Sequence, residues 1–187
     1  MKELTKLAIV NTFIQLLQTQ PIEKITVTTI AEKCGINRQT FYYHFSDIYE
    51  LLEYILNNEL KDFSEIGLAS DDDDWRLILR KKFDYLQSHK RIILNAYNEQ
   101  YRMYYEIFLY RQLSPVVETR FLSCQESARV PKEKLNFLVK VYTKILMALF
   151  IEWLDEGMTD VEKLGIEDYF TLLEGSFHTS LQRFQTE

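Results

Sequence analysis

The chain has 187 residues, 47% of them apolar, which is enough to bury a substantial core in one or two compact units and excludes a disordered tail. Only five Gly and three Pro, without any sustained alternation of apolar and polar residues, argue against a β architecture and predict an all-α protein. The formal net charge of −6 excludes a broadly basic polyanion binder, but the acidic excess lies beyond residue 50, because residues 1–50 hold Lys2, Lys6, Lys24, Lys33 and Arg38 against Glu3, Glu23, Glu32, Asp47 and Glu50.

The first predicted helix covers residues 3–19, with Leu7, Val10, Phe13, Ile14 and Leu17 at spacings of three and four as its buried stripe, and Pro21 ends it. A second helix starts at Thr26, whose hydroxyl is suited to accept from a backbone N–H that the first turn leaves unpaired. Val27, Ile30, Ala31 and Cys34 give it one narrow apolar face, and Gly35 fits the left-handed residue that closes it. Ile36 plugs the turn and Asn37 caps a third helix, which turns Phe41 and Phe45 inward and Arg38, Gln39, Tyr42 and Tyr43 outward.

Two short helices joined in this way, with a polar outer face on the second, have the layout of a helix-turn-helix that enters the major groove of double-stranded DNA. Arg38, Gln39 and Thr40, near the start of the recognition helix, are the candidates for pairing with base edges. Thr28, Tyr42, Tyr43 and His44 are the candidates for phosphate contacts, which set position without reading sequence.

Residues 4–58 resemble the N-terminal domain of the tetracycline-repressor (TetR) family of bacterial transcription regulators. The likeness is carried by Ile30-Ala31, Gly35-Ile36-Asn37, Thr40-Phe41-Tyr42, His44-Phe45 and Glu50-Leu51-Leu52. It implies a three-helix DNA-binding head, a fourth helix linking it to an all-helical body, pairing of two bodies in a homodimer, and phosphate contacts from Tyr42 and His44. The family usually has a Lys where Ile48 stands, so one phosphate anchor is missing. Together with the net-zero head this predicts a shallow dependence of DNA binding on salt. The run NRQTFYYHF is similar to the branch that includes activators of dihydroxyacetone-kinase operons, in which a protein partner instead of a metabolite serves as the signal.

The linking helix is expected over about residues 47–60, capped by Ser46, with Leu51, Leu52, Ile55 and Leu56 inward. It divides a helix-turn-helix domain at 1–47 from a sensing and dimerisation domain at 48–187. Residues 64–74, with Gly67, Ser70 and the aspartates Asp71, Asp72, Asp73 and Asp74, read as a solvated boundary and not as a cation site, since adjacent carboxylates do not converge their oxygens.

Further helices are predicted at 73–87, 89–97, 100–123, 132–156 and 166–184, with Pro115 expected to break or kink the third of these. Tyr97, Tyr101, Tyr104, Tyr105 and Phe108 form an aromatic cluster that suits either the wall of a small-effector pocket or plain helix packing. The helix at 132–156 is apolar nearly all round and therefore needs cover on two sides. One source of cover is a second copy, through a four-helix interface built from Leu146, Phe150, Trp153, Tyr169, Leu173, Phe177 and Leu181; the other is burial within a single chain.

Cys34 and Cys124 lack metal-ligand or redox spacing, and Cys34 is expected to be a buried reduced thiol; no cofactor or metal is expected. There is no signal-peptide pattern and no apolar run of the ~18 residues a membrane span needs, so the protein is expected in the cytoplasm with no membrane partner. His44, His89 and His178 are isolated from other catalytic groups and no phosphate loop is present, so no enzyme is expected. The reading is a DNA-binding regulator governed by a small-molecule effector or a protein co-regulator; the rival is an interaction adaptor whose helix-turn-helix does not bind DNA.

Overall fold

A computed structural model describes residues 2–58, Ile66 and 74–185. Among the described residues there are nine α-helices and no strand. They are α1 (Lys2–Leu17), α2 (Val27–Cys34), α3 (Arg38–His44), α4 (Ile48–Asn58), α5 (Trp75–Ser88), α6 (Lys90–Ala96), α7 (Arg102–Leu122), α8 (Lys132–Asp155) and α9 (Ile166–Gln182). Single 3₁₀ turns lie at Ile22–Lys24 and Gln125–Arg129. The expected boundary at 64–74 falls almost wholly outside the described residues, as does the end of the linking helix beyond Asn58.

Two compact units result, one of residues 1–62 with Ser88–Tyr105, the other of residues 63–87 with Glu106–Glu187. In the first, α1 turns Ile9, Val10, Phe13, Leu16 and Leu17 into the core, with Ile30, Phe41, Phe45, Leu51 and Leu52 from α2 to α4. Leu7, expected inside, is exposed, and Ile9 and Leu16 take its place. Apolar residues lie on several sides of α1, so spacing alone leaves the centre of the buried arc open by one position.

The caps explain the helix starts. Thr26 Oγ1 accepts from the Thr29 N–H at 3.1 Å, and Gly35 takes the left-handed conformation (φ 67°, ψ 30°) that lets the Ile36 N–H reach the Ala31 carbonyl at 3.0 Å. Asn37 Oδ1 accepts from the Thr40 N–H at 2.7 Å to start α3. For α4 the cap is Asp47, not the expected Ser46: Asp47 Oδ1 accepts from the Glu50 N–H at 2.9 Å, and Glu50 Oε2 accepts from the Ser46 N–H at 2.6 Å. The Asp47 carboxylate meets an unpaired N–H of the first turn and Glu50 meets the N–H of the residue before the cap, an arrangement close to a capping box. The Ser46 N–H holds the Glu50 carboxyl below its ordinary pKa.

The second unit is centred on α8. Phe150 stacks on Phe83 at 4.0 Å between ring centroids, Trp153 meets Phe83 edge-on at 5.0 Å, and Phe121, Tyr142 and Phe177 form a mutual triad. α9 runs antiparallel beside α8, with Tyr142 OH and Ser180 Oγ hydrogen-bonded at 2.7 Å and Tyr169 OH donating to Glu152 at 3.5 Å. At its C-terminus α8 closes through Gly157 and the buried, left-handed Met158, whose N–H donates to the Trp153 carbonyl at 2.7 Å.

Pro115 does not break α7, which continues from Arg102 to Leu122. Pro115 and Arg111, four residues before it, are both exposed, so the proline ring sits on the outer side of the helix and not in the core. None of the described helices is long and apolar enough to cross a membrane.

Candidate nucleic-acid interface

The recognition face is built on α3, a seven-residue helix held by its cap and by two rings. Phe41 and Phe45 are buried at 0% and 2% exposure, with their centroids 6.1 Å apart, and fix the rotation of the helix about its axis. That rotation turns Arg38, Gln39, Tyr42 and Tyr43 outward; Tyr43 is 67% and Tyr42 48% exposed. Thr28 on α2 is exposed too, while His44 is half-buried with its ring edge-on to Tyr43 at 5.3 Å. Arg38, Gln39, Tyr42 and Tyr43 are thus exposed on α3, with Thr40 and His44 half-buried.

Several of them are engaged within the chain. Thr40 is half-buried and its hydroxyl donates to Asn37 Oδ1 at 3.0 Å, so its proton serves the cap. Arg38 lies along the helix, its guanidinium 3.5 Å from Tyr42 OH, a contact weak enough to yield to a base edge or phosphate. Behind the face, Lys6 places its ammonium 3.7 Å from the centre of the Tyr54 ring and 5.4 Å from that of Phe45, tying α1 to α4 through a cation on aromatic faces. Cys34 is half-buried, not fully enclosed, and its thiol donates to Thr12 Oγ1 at 3.1 Å, joining α2 to α1.

The aromatic cluster divides between the two units. Tyr101 stacks on Tyr49 at 4.9 Å and Tyr104 lies 6.1 Å from the same ring, while Tyr97 meets Tyr105 edge-on at 5.3 Å, all in the first unit. Burial, with Tyr49, Glu23 and Asp47 nearby, raises the Tyr101 phenol to about 12. Phe108 is buried in the second unit.

A separate cavity of about 310 Å³ in the second unit is lined by Asp74, Trp75, Arg76, Arg120, Ser123 and Glu174. Burial works against the Glu174 carboxylate, but donation from Trp75 Nε1 and Arg120 Nη2, each at 2.6 Å, outweighs it and keeps the pKa low. No group of three or more His, Cys, Asp or Glu among the described residues is placed to hold a metal ion.

Of the residues expected to face a second copy, Leu146, Phe150, Trp153, Leu173, Phe177 and Leu181 are buried inside their own chain, and Tyr169 is half-buried. A side chain already enclosed by its own unit is not offered to a partner. The outward stripe is a different one, with Phe137, Val141, Ile145 and Ala148 on α8 and Leu172, Gly175, Ser176 and Thr179 on α9.

Comparison with known proteins places this geometry. Residues 9–55 match the family model described as bacterial regulatory proteins, tetR family, and residues 73–175, more than half of the chain, match the one described as transcriptional regulator C-terminal region. The chain belongs to the TetR family of transcriptional regulators.

This TetR-family chain is 30% identical over 80 residues to the class C tetracycline repressor of Escherichia coli, covering 43% of this chain and 36% of that protein. It is 29% identical over 103 residues to DhaS, the dhaKLM operon transcriptional activator of Lactococcus lactis subsp. lactis strain IL1403, covering 55% and 48%. The match thus spans less than half the length of either curated relative. Two solved structures share the fold along nearly the whole chain. The dihydroxyacetone kinase operon activator DhaS has a TM-score of 0.62 at 22% identity, covering 97% of this chain and 98% of that one. A TetR regulator from Streptococcus agalactiae 2603V has a TM-score of 0.60 at 19% identity, covering 99% and 96%.

Proposed function

We propose that this TetR-family regulator binds double-stranded DNA as a homodimer on a near-palindromic operator, with residues 1–47 as the reading domain and 48–187 as the sensing and dimerisation domain. The carrying observation is the outward polar face of α3, locked in rotation by Phe41 and Phe45 and in register by Asn37. Gln39 and Arg38 pair with base edges, and Thr28, Tyr42, Tyr43 and His44 bond phosphates, with Thr40 contributing through its lone pairs.

Pairing occurs through the outward stripes of α8 and α9. Gly175 favours this choice: it is exposed in mid-helix, and a Cβ built on it meets nothing within 4 Å, so packing within its own chain gives no reason for a residue that weakens a helix. A helix of a second copy crossing closely at that point supplies one. A small-molecule effector or protein co-regulator that binds one body conformation better than another would shift the spacing of the two heads, by no more than that difference in affinity.

Selection of bound sequences from random DNA tests the reading. The expected result is enrichment of a two-fold symmetric site with half-sites about 10 base pairs apart or slightly more. Failure to enrich any sequence favours the adaptor reading, to which the equal numbers of acidic and basic residues in positions 1–50 give some support.

A further inference from the structure

The segment Ser88–Tyr105 groups with the helix-turn-helix, although α5 separates them along the chain. Ile93, Ala96, Tyr101 and Tyr105 are its buried apolar residues, and three of its side-chain amides bond to the head. Asn95 Nδ2 donates at 2.7 Å to the Leu17 carbonyl, in the last turn of α1, where no helical N–H follows to meet it. Asn98 Nδ2 donates to Glu23 in the turn that leads into Thr26, while its own Oδ1 accepts from the Tyr101 N–H at 3.1 Å. Gln100 Nε2 donates to the hydroxyl of Tyr49, the second residue of α4, and Tyr101 stacks beneath the same ring.

The bonds of Asn98 and Gln100 therefore reach the chain just before α2 and just after α3, and that of Asn95 reaches the end of α1. We propose that Asn95, Asn98 and Gln100 are positioning residues for DNA reading, a clasp that holds the helix-turn-helix at both ends and sets how α3 is presented. The proposal rests on the DNA-binding reading above. The clasp segment continues into α5 on one side and α7 on the other, so its bonds are a non-covalent tie to the head besides the chain connection through α4. The bonds of Asn98 and Gln100 are exposed and compete with water, which makes the clasp easy to open and suits it to a part that must move.

A matched pair of variants in the full chain separates positioning from bulk stability. Asn98→Asp removes the donor and sets a second carboxylate against Glu23. Glu23→Gln with Asn98→Asp restores the bond with the donor reversed, at the net charge of the parent, and the introduced carboxylate can still accept from the Tyr101 N–H as the Asn98 amide oxygen does. Hydrogen exchange of the α2 and α3 amides and affinity for the selected DNA site are read together. Asn98→Asp is expected to speed exchange and weaken binding about fivefold each, and the double variant to return both to within about twofold of the parent.

Unchanged exchange in Asn98→Asp, or a double variant no better than the single one, overturns the clasp. Faster exchange with unaltered affinity leaves a structural tie and overturns the positioning role. If the parent selects no DNA sequence, the functional reading fails by itself, and the role in DNA positioning falls with it, while exchange still reports whether the clasp orders the helices.

Discussion

Phe41 and Tyr43 stand two residues apart on α3 with opposite fates, one fully enclosed and the other two-thirds exposed. Helical geometry forces the contrast, since two positions along an α-helix are about 200° of rotation apart. Truncating Phe41 to Ala should therefore cost about 3–5 kcal/mol and be visible as loss of the thermal transition of the head. Gln39→Ala should instead leave that transition in place and weaken binding to the selected site by about 1–3 kcal/mol, the worth of one base-edge pair; wild-type affinity in that variant, measured by fluorescence anisotropy, would remove Gln39 from the reading face. This part of the site was legible because caps, glycine turn and inward rings each have a local signature in Thr26, Gly35, Asn37, Phe41 and Phe45. The engagement of Thr40 with Asn37 was less visible, because a hydroxyl's partner depends on which rotamer the cap leaves free.

At the scale of the helix, α5 carries a charge on its buried face. Lys82 is 1% exposed among Trp75, Leu79, Phe83 and Leu86, and burial pushes its pKa down from the ordinary value of 10.5 to about 8. The unfolded chain then binds more protons than the folded one between pH 8 and 10.5, so this group's contribution to stability rises with pH across that window. Tyr101 acts the other way at higher pH: its phenol ionises near pH 10 when unfolded and at about 12 when folded, so stability is lost as pH climbs through that range. Urea melts of the parent and of Lys82→Met at pH 7.5 and 9.5 isolate the lysine, and the parent should gain up to ~1.4 kcal/mol per pH unit relative to the variant. Parallel responses would show that Lys82 does not titrate in this range. Helix existence was readable from apolar spacing, and the described helices fall within a few residues of their expected bounds. Facing was harder: α8 has apolar residues on several sides, and the 3.6-residue period does not say which side its own chain covers, which is why Phe150 and Trp153 are core and not interface.

For the whole molecule, association is the property that the proposed operator with two half-sites requires. On the outward stripes, Leu172 of α9, at 71% exposure, and Phe137 and Ile145 of α8 are apolar side chains that a lone regulator would leave in water. A glycine inside an exposed helix costs about 1 kcal/mol relative to alanine, so Gly175→Ala in a protein that stayed monomeric should raise the melting temperature and change nothing else. In a dimer whose helices cross at this point, the added methyl group meets the partner, and Gly175→Phe, at an exposed position where a Cβ meets nothing of its own chain, pushes the two copies apart. Sedimentation at micromolar protein should accordingly find the parent dimeric and Gly175→Phe monomeric with helical content intact. The variant should also lose most of its affinity for the symmetric site, because each head then binds alone without the effective concentration that linkage to its twin provides. A monomeric parent, or a Gly175→Phe protein that sediments as the parent does, would rule out this surface as the pairing face.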